Sequence, residues 1–337
     1  MRDLATLPKT HLHVHLESTV RWSTLRELTP SVPGPDGTGR FDGFRAFADR
    51  NAAIRRSLRT PAHFERVARE LCEDSAADGV RYVEVTFTAA SHGERLGEPA
   101  MPLEAVLAGL SAGGAATGVE WRVILDHSRR QSTARAWRTL ELARAHAAAG
   151  VVAIGVAGDE AHPLTPFAAV FDAAREAGVH LVHHPGETGG PASIREALDV
   201  GHAERLGHGI RVLDDAALVA EVRDRGVPLE VCPSSNVTLG LAPSFAAHPL
   251  PALRAAGLAV ALGTDIPNLA GVTLTEEFAR CRRYFGWDDA SLAALATAAV
   301  DASFAPDATK ARLRADVAAW LETPAAGPQV AMSTNRE

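Results

Sequence analysis

Short strand-like apolar runs and helical stretches take turns along almost the whole chain. That alternation restricts the fold more than any single motif does. The predicted strands are 9–16, 80–87, 119–126, 151–156, 179–184, 204–208, 228–232 and 258–263. Helices are predicted over 41–58 and 61–77, then over 103–117, 134–149, 167–177, 194–200, 214–225 and 250–256. Pro61 suits a first helical position, and Asp78-Gly79 stops that helix. Strands separated by helices pair in parallel through right-handed crossovers, and eight such units close into a barrel. The expected fold is an α/β (β/α)8 TIM-type barrel with additional C-terminal helices over 275–319. It forms a single domain over 1–322, with a frayed tail over 323–337 that lacks an apolar period. The Gly/Pro-rich stretch 30–42 reads as a loop and a candidate lid.

Length and composition agree with this reading. A chain of 337 residues suits one large barrel or two ordinary domains, and no internal repeat marks a second unit. With 46% apolar and 22% charged residues the composition is globular. A net charge of −7 argues against a nucleic-acid-binding surface. Cys72, Cys232 and Cys281 are odd in number and widely spaced, so neither a disulfide framework nor a cysteine-based zinc site is expected. The N-terminus has no apolar signal core, and no apolar run is long enough to span a membrane. A cytoplasmic protein that handles small molecules is therefore expected, with neither nucleic acid nor membrane as partner. The sequence does not indicate its oligomeric state.

The chemistry gathers at the predicted strand ends, where barrels of this kind place active sites. The first strand reads Lys9-Thr10-His11-Leu12-His13-Val14-His15-Leu16-Glu17. Strict alternation would put His11, His13 and His15 on one face and Leu12, Val14 and Leu16 on the other. Two imidazoles so spaced can hold one metal ion. Later strands end in His183-His184-Pro185-Gly186-Glu187, Gly207-His208-Gly209 and Gly263-Thr264-Asp265. Three imidazoles and a carboxylate, with a further Glu and His, form a nitrogen/oxygen site that suits Zn2+, with Fe2+ or Mn2+ as alternatives. A metal with an open position generates hydroxide near neutral pH, which points to a hydrolase. His11 is expected to pack or hydrogen-bond below the site, His183 to point away and Cys232 to be core. Glu230 and Asn236 are expected to fix loop geometry, and Arg129 and Arg130 to be solvated.

The motifs Leu7-Pro8-Lys9, His11-Leu12-His13-Val14-His15-Leu16-Glu17, His184-Pro185-Gly186-Glu187, Arg205-Leu206-Gly207-His208-Gly209, Leu229-Glu230-Val231-Cys232-Pro233-Ser234-Ser235-Asn236 and Thr264-Asp265 occur in this order. Together, over residues 5 to 285, they resemble the adenosine/adenine deaminase family of the amidohydrolase superfamily. The resemblance implies that His13, His15, His184 and Asp265 hold one zinc ion per chain. It implies that Glu187 protonates N1 of the ring and that His208 orients and deprotonates the water, with Asp265 completing the catalytic set. Ala157-Gly158-Asp159-Glu160 resembles the loop whose glycine lets the ring approach the backbone, so Gly158 is a candidate substrate contact. The implied reaction is addition of metal-activated hydroxide to C6 of a 6-aminopurine, with loss of ammonia to give the 6-oxo product.

Three positions depart from the family pattern. Thr264-Asp265-Ile266-Pro267 puts an apolar side chain where a second acid usually meets N7 of the purine. The loss of that hydrogen bond is worth about 1–3 kcal/mol, and a 7-deazapurine would not suffer it. Glu17-Ser18 replaces Asp-Gly and resembles the adenine and modified-adenosine branches, and Gly155 stands where an acid is common. Glu17, Gly158 and Ile266 are thus the expected substrate contacts. Competing readings are a superfamily hydrolase of a non-purine amine or amide, and a catalytically silent binding protein on this scaffold. The cytidine-deaminase type is excluded because its cysteine pair is absent.

Overall fold

The computed structural model describes residues 1–30, 41 and 43–324. Eight strands form one parallel sheet in sequence order: β1 Lys9–His15, β2 Val80–Phe87, β3 Glu120–Ser128, β4 Val151–Ala157, β5 His180–His183, β6 Arg205–Gly207, β7 Leu229–Val231 and β8 Val260–Leu262. A parallel bridge between Val14 and Asp265 brings the last strand back to the first. There the His15 N–H donates to the Asp265 carbonyl at 3.0 Å, and the Asp265 N–H donates to the His13 carbonyl at 2.9 Å. The barrel is drawn together at the two strand ends that carry candidate metal ligands. This is the (β/α)8 architecture that the alternation predicts.

The strands are covered on both faces, which is why they read as apolar runs; along β2 only Arg81 is exposed. Their outer faces pack under the helices, with Val14, Val85 and Leu125 in one cluster with Phe64, Leu71 and Leu110. At the bottom of the barrel Leu12, Tyr82 and Ala261 meet Ala299, Val300 and Leu313 from the helices Asp289–Ala302 and Asp307–Glu322. Phe304, between those helices, packs on Ile124, Ala153 and Val182 and stacks on His180 at 3.9 Å. The C-terminal helices thus plug one end of the barrel.

The structure corrects the reading of β1. Its pairing with β2 shifts register between His11 and Val14, and a bulge of this kind breaks the alternation of faces. His11 lines an outer cavity together with Val14, and Leu12 turns inward against Tyr82. His11 therefore does not share a face with His13 and His15. Its Nε2 lies 3.1 Å from the Thr264 hydroxyl, so the expected hydrogen-bonding role holds on the other side of the sheet.

The pattern also gave no sign of the helices Trp22–Leu28, Ala89–Leu96, Pro233–Thr238 and Pro267–Ala270. Segments of four to eight residues are too short to show a helical period. β3 runs two residues further than predicted and so carries Ser128 to the barrel mouth. The predicted C-terminal helical stretch is three helices, Leu274–Phe285, Asp289–Ala302 and Asp307–Glu322. The candidate lid, apart from Pro30 and Phe41, and the tail beyond residue 324 lie outside the described residues. Among the described residues no helix is long and apolar enough to cross a membrane.

Candidate active site

His13 and His15 come from the end of β1, His184 follows β5, and Asp265 stands three residues beyond β8. Their donor atoms converge. His15 Nε2 is 3.2 Å from His184 Nε2 and 3.3 Å from Asp265 Oδ1, and His13 Nε2 is 3.6 Å from the same oxygen. Donors set tetrahedrally at the usual bond lengths would stand about 3.3 Å apart. His13 Nε2 is also buried without a hydrogen-bond partner, which is uncommon for a polar atom with no ligand to meet. The residues thus fit a divalent metal ion. Asp265 (φ 59°) and the nearby His208 (φ 61°) both adopt left-handed backbone conformations. These are costly for residues other than glycine and tend to cluster at functional sites.

Beneath the ligands lies a buried charged network. Glu230 Oε2 is 2.7 Å from His13 Nδ1, and its other oxygen accepts from Arg205 Nε at 2.6 Å. Arg205, 1% exposed, also donates to Glu84 at 2.5 Å, and the Tyr82 hydroxyl donates to Glu84 at 2.9 Å. Two carboxylates around one guanidinium leave a net negative charge below His13, which favours a cation above it. Burial disfavours a charged His13, yet Asp265 and Glu230 push its pKa up to about 10. Glu230 therefore fixes the orientation of the His13 imidazole, as a carboxylate behind a metal-binding histidine would, a more direct role than the loop-fixing one expected. Asp265 accepts from the Ser235 hydroxyl at 2.5 Å. Burial works against its ionisation, but His13, His208 and His15 hold it well below the usual carboxylate range.

Glu187 and His208 face each other beside these donors, with Oε1 and Nε2 3.6 Å apart. Burial, reinforced by the charges of Asp265 and Glu160, pushes Glu187 up to about 8, so it keeps its proton at neutral pH. Burial and the neighbouring His13 charge push His208 down to about 3, so its imidazole is neutral. The Asn236 side chain bridges His208 Nδ1, at 3.4 Å, and His248 Nε2, at 3.1 Å. A protonated acid and a neutral imidazole next to a metal site can give a proton to one atom of a ligand and take one from water.

A cavity of about 430 Å³ opens onto this group and is also lined by Glu17, Gly158 and Ile266. Gly158 has φ 96°, and Ile266 is 1% exposed. Glu17 accepts from the Thr88 hydroxyl and lies 3.1 Å from His92 Nε2. These partners hold it well below the usual range despite its burial. All the sequence-predicted site residues except His13 therefore border one space, and His13 stands beside it with Nε2 3.6 Å from Asp265 Oδ1.

Other positions differ from expectation or escaped it. Asp126, at the end of β3, is buried, lines the cavity and has no hydrogen-bond partner on Oδ1. Burial, with the Glu17 charge, pushes it up to about 7. Its only sequence signal was its place at a predicted strand end. Arg129 is buried, not solvated, and donates to the carbonyls of His184 at 3.0 Å and His162 at 3.2 Å. Arg130 is exposed at the cavity rim. At Gly155 an added Cβ would lie 2.0 Å from the Val182 carbonyl, so an acid does not fit there. His183 points away, with Nε2 2.8 Å from the Gly201 carbonyl, and Cys232 is core.

Known proteins resemble this chain over nearly its full length. The family described as "Adenosine deaminase" matches residues 8–320. An adenine deaminase of Chelativorans sp. is 34% identical over 331 residues, 94% of this chain and 100% of that protein. The crystal structure of an adenine deaminase from Arthrobacter aurescens superposes with a TM-score of 0.85 at 31% identity, covering 94% of this chain and 99% of that one. A zinc-bound amidohydrolase from Burkholderia ambifaria gives 0.86 at 28% identity, covering 95% and 92%. With the barrel, the converging donors and the acid–imidazole pair already in place, these likenesses show that the chain belongs to the adenosine/adenine deaminase family of the amidohydrolase superfamily and is a hydrolase of that type.

Proposed function

We propose that this enzyme hydrolytically deaminates a 6-aminopurine-like ring, giving the 6-oxo product and ammonia, with one zinc ion held by His13, His15, His184 and Asp265. The observation that carries the reading is the Glu187–His208 pair, 3.6 Å apart and beside the four donors. A metal held this way lowers the pKa of water toward about 7. Glu187, protonated at neutral pH, donates to the ring nitrogen next to the reacting carbon. His208, neutral, orients the water and accepts its proton. Gly158, with no side chain and a positive φ, lets the flat ring lie against the backbone. The nitrogen/oxygen donor set and the zinc-bound neighbour support zinc.

The substrate is a small nucleobase or nucleoside. Ile266 is buried at the cavity wall and offers no hydrogen-bonding group. A ring with carbon in place of N7 loses nothing there, whereas a purine loses about 1–3 kcal/mol. The test is ammonia release by zinc-loaded protein from adenine, adenosine, 5′-modified adenosines and 7-deazaadenosine side by side, with metal analysis of the purified chain. Turnover of at least one of these is expected, with the 7-deaza ring favoured. Preference for adenosine over its 7-deaza analogue would overturn the Ile266 argument, and zinc-loaded protein silent on all of them would overturn the deaminase reading.

A further inference from the structure

Glu187 stands at the heart of the proposed reaction, yet among the described residues no hydrogen bond holds its carboxyl; His208 Nε2 stands 3.6 Å from it. Its placement depends on its backbone, and the N–H groups of that backbone all meet one side chain. Glu160, in the loop after β4, accepts from four consecutive N–H groups: Gly186 at 2.6 Å, Glu187 at 2.9 Å, Thr188 at 2.7 Å and Gly189 at 2.9 Å. It also accepts from the hydroxyls of Thr188 at 3.2 Å and Ser193 at 2.5 Å. The loop is shaped around this carboxylate. A Cβ on Gly189 would lie 2.6 Å from Glu160 Oε2, and Gly186 takes φ 67°, so both are places where glycine is required. Arg129 joins the same cluster, 3.5 Å from the Ser193 hydroxyl and bonded to the His184 carbonyl. Burial opposes a charge on Glu160, but the Ser193 and backbone donors keep it below its ordinary range, as the charge-assisted bonds of such a nest should.

The stretch that supplies Glu160 also supplies Gly158, which forms part of the cavity wall. We infer that Glu160 is a positioning residue: by gathering the N–H groups of residues 186–189 it fixes the proton donor Glu187 against the ring seated on Gly158. The inference rests on the deaminase reading. It touches neither the ring nor the metal ligands directly, so its effect should fall on turnover and leave binding largely alone. A misplacement of about 1 Å at a reacting group can cost about 10²-fold in rate.

The test compares Glu160→Ala and Glu160→Gln in the full zinc-loaded chain, using whichever 6-aminopurine the wild type turns over best. Glu160→Ala should lower kcat about 10²-fold, with KM within about threefold and zinc content kept. Glu160→Gln keeps one acceptor oxygen, should retain the fold if the Ala variant does not, and should recover part of the loss. In a Glu187→Gln background, removal of Glu160 should cost little more, because groups acting through one another are not additive. Amide hydrogen exchange should show protection at residues 186–189 lost in the variant and kept elsewhere. An unchanged kcat, equal losses in both backgrounds, or unchanged exchange in the loop would each overturn the inference. If the wild type releases no ammonia from any 6-aminopurine, the deaminase reading fails, while the exchange measurement still decides whether Glu160 holds the loop.

Discussion

The two sides of the barrel mouth differ in how firmly their polar groups are held. On the metal side Glu230 is fixed by His13 and Arg205, Arg205 by Glu84, and Asp265 by Ser235. On the substrate side Asp126 keeps an oxygen without a partner, Ile266 offers only hydrocarbon, Gly158 offers bare backbone, and Arg130 is exposed at the rim. Glu17 is the firmly bonded exception there. The contrast separates chemistry from specificity. A network of paired charges tolerates little change, because removing one partner leaves another charge buried and alone. A wall with unmet hydrogen-bonding capacity can be altered one residue at a time to suit another ring.

Substitutions on each side test that division. The largest effect is expected at Glu187, the proposed proton donor at the cavity wall: Glu187→Gln should lower kcat about 10²–10⁴-fold while the metal content, measured by elemental analysis, stays the same. Loss of the ion in that variant would mean that the acid and the metal site are not separable. Next, Glu230→Ala should weaken metal affinity about 10–100-fold in a chelator competition. The same variant should unfold at lower denaturant, by about 3–5 kcal/mol, because Arg205 loses a buried partner. Asp126→Asn should instead leave metal affinity in place and change the ratio of kcat/KM among substrates about tenfold, the scale of one buried hydrogen bond. Ile266→Asp should raise kcat/KM for adenosine relative to 7-deazaadenosine by a similar factor; an unchanged ratio would remove Ile266 from the specificity wall.

The smallest expected effect is on pH dependence. In the proposed reaction Glu187 acts as its protonated acid, and burial raises its pKa to about 8. Activity should therefore be present below that value and decline as pH rises through it, and Glu187→Gln should erase that limb from the pH–rate profile.

The candidate site was legible in the sequence wherever a histidine or an acid ends a strand. His13, His15, His184, Glu187, His208 and Asp265 each sit in a short local motif, and a barrel sends all such ends to one face. His11 was misread because a one-residue bulge, invisible in the pattern, turns it through the sheet. Arg129 was misread because its partners are the carbonyls of His162 and His184, which no composition argument can place. Asp126 carried no motif at all beyond its place at a predicted strand end, and only the structure shows its buried carboxyl on the cavity wall.

The sequence by itself determined the order of the strands and of the longer helices, the (β/α)8 class, and the set of candidate donors at the strand ends. These follow from periodicities and residue types that are local and repeat along the chain. Only the tertiary structure decided which partner each buried group has. Glu230 meets His13 across 217 positions, Glu160 reaches forward to gather the N–H groups of residues 186–189, and β8 closes on β1 through Asp265 itself. Such contacts are set by how the strands pair and the barrel closes, and a buried charge must find its partner in that geometry wherever the partner lies in the chain.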